Sequence, residues 1–194
     1  MSFKKILIII FLFNSIFTKS FSLEPNIFVQ STVNRASQIL SKDISREQKI
    51  NELKKVAEDT VDIRGIGLYT LGSFRKNLTE NQKKEYSKLF EQYFLKSFSS
   101  RLAEYSNPEI EVNNKEILSE NYTIVNSTLK ATKERPEIKI DWRIYTKDTN
   151  NPLIRDLIIE GLSLARTQKE EFSSILNSNN GDINSLFKTL EEFS

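Results

Sequence analysis

The chain has 194 residues, with 28 Lys and Arg against 26 Asp and Glu, and with 13 Phe, 6 Tyr and 1 Trp. It contains neither Cys nor His, which excludes disulfides, thiol chemistry, Cys/His zinc sites and histidine-based catalysis within this chain. A formal net charge of +2 gives no case for bulk attraction to nucleic acid, and the aromatic content suffices for a sizeable core in a single domain.

The first 22 residues read as a signal peptide. Lys4 and Lys5 precede an unbroken apolar run from Ile6 to Phe13, and small residues lie among Thr18, Ser20 and Ser22. The run is too short for a comfortable membrane span; an uncleaved anchor and a buried strand are the alternatives. The lack of Cys after the run excludes lipoprotein anchoring. Loss of Lys4, Lys5 and Lys19 leaves 25 basic residues against 26 acidic, a net of −1 for the expected domain of residues 23–194.

Pro25 opens a predicted helix over about 25–40, with Phe28, Thr32, Val33, Ala36, Ile39 and Leu40 at helical spacing. Ser45 is placed to cap a second, over 46–60, with Ile50, Leu53, Val56 and Ala57 inward. Residues 61–72 hold three of the five glycines. No Gly-Lys-Ser/Thr follows, so a phosphate loop is a poor match, and close helix packing with turns is the better reading. Thr79 then caps the longest predicted helix, to about Tyr105. Gln82 stands at the capping-box position, and Tyr86, Leu89, Phe90, Tyr93, Phe94, Phe98 and Leu102 line one face.

After Asn107-Pro108 the period changes. Ile110–Ile117, Tyr122–Thr132, Ile138–Thr146 and Leu153–Glu160 read as strands of an antiparallel meander, the last ambiguous with helix. Turns are expected at Asn113-Asn114 or Lys115 and at Glu134-Arg135-Pro136-Glu137. Trp142 and Ile144 share one face, Arg143 and Tyr145 the other. Amphipathic helices are predicted over 163–177 and 182–192, the last capped by Asp182. The fold class is α+β: an antiparallel sheet of about four strands packed against long amphipathic helices.

Few groups offer chemistry. Glu58 and Asp62, one helical turn apart, are an acidic pair that a hydrolase would need to place in one cleft; Asp141 and Glu160 are the other acids of that reading. No Gly-x-Ser-x-Gly elbow and no calcium loop is present. Arg64, Arg75, Lys76 and Arg143 are candidates for a small anion-binding patch. The aromatic excess has two readings, an ordinary core or a hollow one with an apolar guest.

Two blocks bear on that choice. One is Asp62-Ile63-Arg64-Gly65-Ile66-Gly67-Leu68-Tyr69-Thr70-Leu71-Gly72, then Phe74-Arg75, Leu78-Thr79, Gln82, Tyr86 and Phe90, and on to Tyr93 and Leu102-Ala103-Tyr105. The other is Trp142-Arg143-Ile144-Tyr145 followed by Leu157-Ile158-Ile159-Glu160-Gly161-Leu162-Ser163-Leu164, Gln168, Glu171-Phe172, Ile175-Leu176, Asn180-Gly181-Asp182 and Leu186. Together they resemble the MlaC, or toluene-tolerance, family of periplasmic phospholipid-binding proteins. The chain departs from that pattern at Phe74, where the family carries Trp, and over Thr146–Asp156, a stretched approach to the Glu-Gly phrase.

The resemblance implies a soluble shuttle, not an enzyme, that needs no cofactor. It would carry glycerophospholipid between an outer-membrane lipoprotein/porin complex and an inner-membrane ABC transporter complex with its membrane-anchored lipid-binding subunit. That role maintains outer-membrane lipid asymmetry. Acyl chains would lie in an apolar cavity between sheet and helices. The candidate lining is Leu68, Leu71, Phe90, Phe94, Phe98, Ile124, Trp142, Ile144, Ile158 and Leu162, with Arg75 and Arg143 at the mouth. A periplasmic hydrolase and a cavity-free adaptor are the rival readings.

Overall fold

The computed structural model describes residues 23–193; the expected signal peptide, residues 1–22, lies outside them. Six helices and five strands follow in the order α1 (Pro25–Ser41), α2 (Arg46–Thr60), α3 (Ile63–Thr70), α4 (Glu80–Leu102), β1 (Ile110–Ser119), β2 (Tyr122–Leu129), β3 (Ile138–Tyr145), β4 (Leu153–Ile159), β5 (Leu162–Ser163), α5 (Leu164–Ser178) and α6 (Ile183–Glu192). A 3-10 turn, Gly72–Lys76, joins α3 to the approach of α4.

The helix starts follow local chemistry. Ser45 with Gln48 and Thr79 with Gln82 both form reciprocal capping boxes, which satisfy orphan amides of the first turn. Asp62, Ser163 and Asp182 cap α3, α5 and α6 through their side chains. The regular part of α4 ends at Leu102 rather than Tyr105, and residues 103–105 continue as turns bonded back to the helix. The glycine-dense stretch is itself a helix, α3, and forms no phosphate loop. Small residues are required there: a Cβ on Gly67 would lie 2.8 Å from Cδ1 of Phe90, so α3 sits directly on α4.

The sheet is an antiparallel meander in the order β1-β2-β3-β4-β5, one short strand more than the expected four. Asn113-Asn114 does not turn the chain. The register slips between Val112 and Lys115, and β1 runs on to Ser119 before a tight turn leads into β2. Two adjacent Asn residues are read equally well as a turn or as a bulge, and the continuing pairing of Lys115 with Val125 and Ile117 with Thr123 decides for the bulge. The ambiguous segment near Leu157 is a strand, β4, with its own slip between Arg143 and Ile144. Glu160 and Gly161, at φ 49° and 83°, make the turn into β5.

The helices cover one face of this sheet. α1 packs on β1 and β2, while α3 and α5 pack on β4. The close neighbours of α4 are α2, α3 and α6. The main core takes side chains from every helix and from the inner faces of β2, β3 and β4. A smaller cluster of Ile39, Leu40, Leu53 and Val56 ties α1 to α2 and reaches the end of α4.

Candidate functional site

The long helix α4 stands off the sheet, and side chains bridge the interval. From α4 come Tyr86, Phe90, Phe94 and Phe98, whose rings run along the helix with successive centroids 5.7, 6.1 and 5.4 Å apart. Phe172 of α5 meets Phe90 edge-on at 6.2 Å. From the sheet come Val125, Ile140, Trp142, Ile144 and Ile154, all buried in the same cluster. Exposure rises along the row. Phe90 is buried, whereas Phe94 and Phe98 are half-buried, as are Ile110, Val112, Ile138 and Leu157. Along the α4 row the rings are thus buried at Tyr86 and Phe90 and half-buried at Phe94 and Phe98.

Tyr86, Tyr93 and Trp142 find hydrogen-bond partners in this layer, whereas the buried Ser99 Oγ of α4 has none among the described residues. The Tyr86 hydroxyl and Thr70 Oγ1 lie 2.8 Å apart, and both side chains are fully buried. Burial pushes the Tyr86 phenol far above its ordinary value, with the Thr70 bond opposing. Tyr93 donates to Gln168 Oε1 at 2.9 Å and ties α4 to α5; burial and the nearby Glu171 raise its phenol as well. Trp142 Nε1 donates to Ser127 Oγ at 2.8 Å, and Ser127 Oγ donates to the Ile140 carbonyl. That chain of bonds fixes the indole across the inner face.

Strand parity divides the sequence candidates. Trp142 pairs with Val125 and Ile144 with Thr123, so these four share the helix-covered face. Ile124 pairs with Arg143 and Ile158 with Asp141, which places both on the outer face. Leu162 is 60% exposed in β5. Leu68 is half-buried on α3 and lies outside the main cluster, whereas Leu71 is fully buried within it. Of the ten lining candidates, Leu71, Phe90, Phe94, Phe98, Trp142 and Ile144 are brought together between α4 and the sheet. Ile124, Ile158, Leu162 and Leu68 are not.

The two mouth candidates also part. Arg75 is exposed after α3 and donates to the Leu68 carbonyl at 3.3 Å. Arg143 points to the outer face and lies 3.6 Å from Asp156. No common anion site is made from these two.

Periodicity does not expose the polar residues that hold the site's frame. Asp156 is 4% exposed, accepts from Ser163 Oγ at 2.6 Å and from the Ala165 amide at 3.0 Å, and so locks the start of α5 to β4. Arg155, the extra residue at the β4 slip, stacks 3.6 Å over the Tyr145 ring. It donates to the Tyr122 hydroxyl at 2.6 Å and to Asp62 at 2.7 Å. The one available signal was an Arg-Asp pair inside an otherwise apolar strand. Phe172, the ring against Phe90, was visible as part of the α5 stripe but not as a wall of the site.

The acids considered for hydrolysis are occupied and scattered. Asp62 lies outside α2, so it shares no helical face with the exposed Glu58; it caps Gly65 and holds Arg155. Asp141 accepts from Asn126, and Glu160 is exposed and accepts from the Lys139 amide. A surface cleft of about 820 Å³ beside α5 is lined by Tyr69, Arg166, Lys169, Ser173 and Asn177 among others, with Glu170 its single carboxylate.

Comparison with known proteins agrees with this architecture. The family model described as "MlaC protein" matches residues 30–192. A solved structure of a phospholipid-binding protein from Ralstonia solanacearum, in complex with a phospholipid, is similar with a TM-score of 0.74. It is 18% identical, and the similarity covers 88% of this chain and 97% of that one. The chain belongs to the MlaC family.

Proposed function

We propose that this protein is a periplasmic carrier of glycerophospholipid, whose acyl chains occupy the layer between α4 and the inner face of the sheet. One observation carries the reading. The longest helix gives the core a row of aromatic side chains beside Leu89 and Leu95, and within that cluster Phe94, Phe98, Ile138 and Leu157 are only half-buried. Rings on rotatable side chains can swing aside, while helix backbones packed on strands cannot. Sequestering acyl chains is worth about 0.8 kcal/mol per buried CH₂, so a lining of this chemistry is what two chains demand. That the similar Ralstonia protein holds a phospholipid supports a phospholipid as the ligand. The head group stays at the rim, where charge keeps its water.

In this reading the protein is not an enzyme. It receives and delivers lipid at an outer-membrane lipoprotein/porin complex and an inner-membrane ABC transporter complex, after export with removal of residues 1–22. Family membership supports the periplasmic compartment, and among the described residues no helix is long and apolar enough to cross a membrane.

A solid-core interaction domain is the second reading. It is favoured by Leu71, Phe90, Ile144 and Phe172, each at most 2% exposed in one continuous cluster. Ile144→Trp separates the two. Overpacking costs roughly 1–3 kcal/mol in either case. For a carrier, the folded variant loses co-purified phospholipid while the wild type retains it. Equal lipid content in variant and wild type overturns the proposed location.

A further inference from the structure

We infer that the pole bearing the β1–β2 hairpin is a docking surface for an extended, basic segment of another protein, which adds as a strand to the free edge of β1. This inference stands apart from the lipid site and does not rest on it. Among the described residues, the order β1-β2-β3-β4-β5 leaves one edge of β1 without a strand partner. Slips at Asn113-Asn114 and at Leu118 bound a regular stretch of that edge, Lys115–Ile117, and Lys115–Ser119 is exposed throughout.

Large aliphatic side chains gather at this end of the molecule. Ile117 is 73% exposed, Ile27 56%, Leu118 48% and Leu23 38%. Their proximity follows from bonds. Glu24 pairs with Lys115, joining the start of α1 to β1. Ile27 lies one helical turn from Glu24, and Ile117 lies two residues from Lys115 on the same face of the strand. The Leu23 amide donates to the Thr149 carbonyl, and the Thr146 amide to Asn121 at the hairpin tip, so the loop after β3 closes the ring. Exposed aliphatics are ordinary singly, but gathered beside an open strand edge they mark an interaction site.

Charge selects the occupant. Glu24 and Lys115 neutralise each other. Among the described residues at this pole, Glu116, Glu120, Asp148 and Lys147 are exposed beyond that pair, three acids to one base. An acidic rim disfavours the anionic surface of a bilayer. It also disfavours a second copy of the chain, because two-fold pairing through β1 brings the same acids together. A segment with apolar side chains flanked by Lys or Arg satisfies the ladder, the aliphatic patch and the rim together.

The test places a photo-reactive amino acid at Ile27 of the full chain, in cells that make the protein. Irradiation should yield an adduct to another protein, mapping to an extended stretch that contains Lys or Arg. Its yield should fall tenfold or more with Ile117→Asp and with the Glu116→Lys/Glu120→Lys pair. In the purified complex, amide exchange at 115–119 should slow at least tenfold. All three substituted side chains are exposed, so folding is retained and is checked by Trp142 fluorescence. If Ile117→Asp does not fold, the charge pair carries the comparison. Adducts confined to phospholipid, to a second copy or to residues 1–22 overturn the inference. So does an absent adduct, or unchanged exchange in the complex.

Discussion

Phe90 and Phe98 sit on the same stripe of α4 but differ in what surrounds them. Phe90 is 2% exposed, with ring neighbours Tyr86, Tyr93, Phe94 and Phe172 at 5.7–6.4 Å and Gly67 against its edge. Phe90→Ala should cost about 3–5 kcal/mol, the range for a buried Phe whose site cannot collapse. Phe98 is half-buried and stacks on Phe94 alone, at 5.4 Å and 11°. Its loss forfeits about half of the roughly 1.5–3 kcal/mol of full burial, plus about 0.5–1.5 for the ring pair, or roughly 1–3 kcal/mol in all.

The decisive quantity is the effect of lipid on each variant. Trp142 is the only tryptophan and lies in this layer, so its fluorescence reports urea unfolding of the site itself. A short-chain phospholipid at 100 times its Kd should raise wild-type stability by about 2.7 kcal/mol. Phe98→Ala should keep that increment, since shortening a movable ring leaves room for acyl chain. Phe90→Ala should lose most of its lipid-free stability. The reasoning is refuted if lipid gives no increment to the wild type, or if the two variants lose equal lipid-free stability.

Asp156→Ala should destabilise the fold by roughly 2–4 kcal/mol in urea unfolding, because it leaves the Ser163 hydroxyl and the Ala165 amide without their acceptor and Arg143, which water can still reach, without its ion partner; a loss under 1 kcal/mol would show that Asp156 holds nothing. Alkaline pH should also destabilise. Tyr86 and Tyr93 hold their protons above the ordinary phenol value near 10, so the folded state binds more protons than the unfolded chain there. Their contribution is complete below pH 10 and lost as pH rises above it. Tyr86→Phe should flatten the fall in the urea midpoint between pH 10 and 12, and an unchanged slope would contradict its burial as the cause.

Helix boundaries were legible because their signals are local. Ser45 and Thr79 are followed at three residues by Gln, and both form the expected boxes. The meander was legible from period two. The shape of the site was legible only by half. Helical periodicity puts Phe90, Phe94 and Phe98 on one stripe, as the structure does, but joining them to sheet residues needed strand pairing. Parity along one strand does not say which parity on its neighbour shares a face. Ile124 therefore joined the list with Trp142, although its pairing with Arg143 puts it on the other face, where it is buried outside the main cluster. The slip beside Arg155 compounds this, since one extra residue inverts the parity of a strand across it. Asp156 was hidden for another reason. Its partners come from β3 and from the first turn of α5, and no single-strand pattern announces a contact between three elements.

The central claim is that the layer between α4 and the sheet holds phospholipid. Its most direct test is lipid extraction and native mass spectrometry of wild-type protein purified without detergent. The account expects a mass increment of one glycerophospholipid on the folded chain, or its uptake on incubation with phospholipid vesicles. Protein that carries no lipid after such purification, and takes none from vesicles, would contradict it.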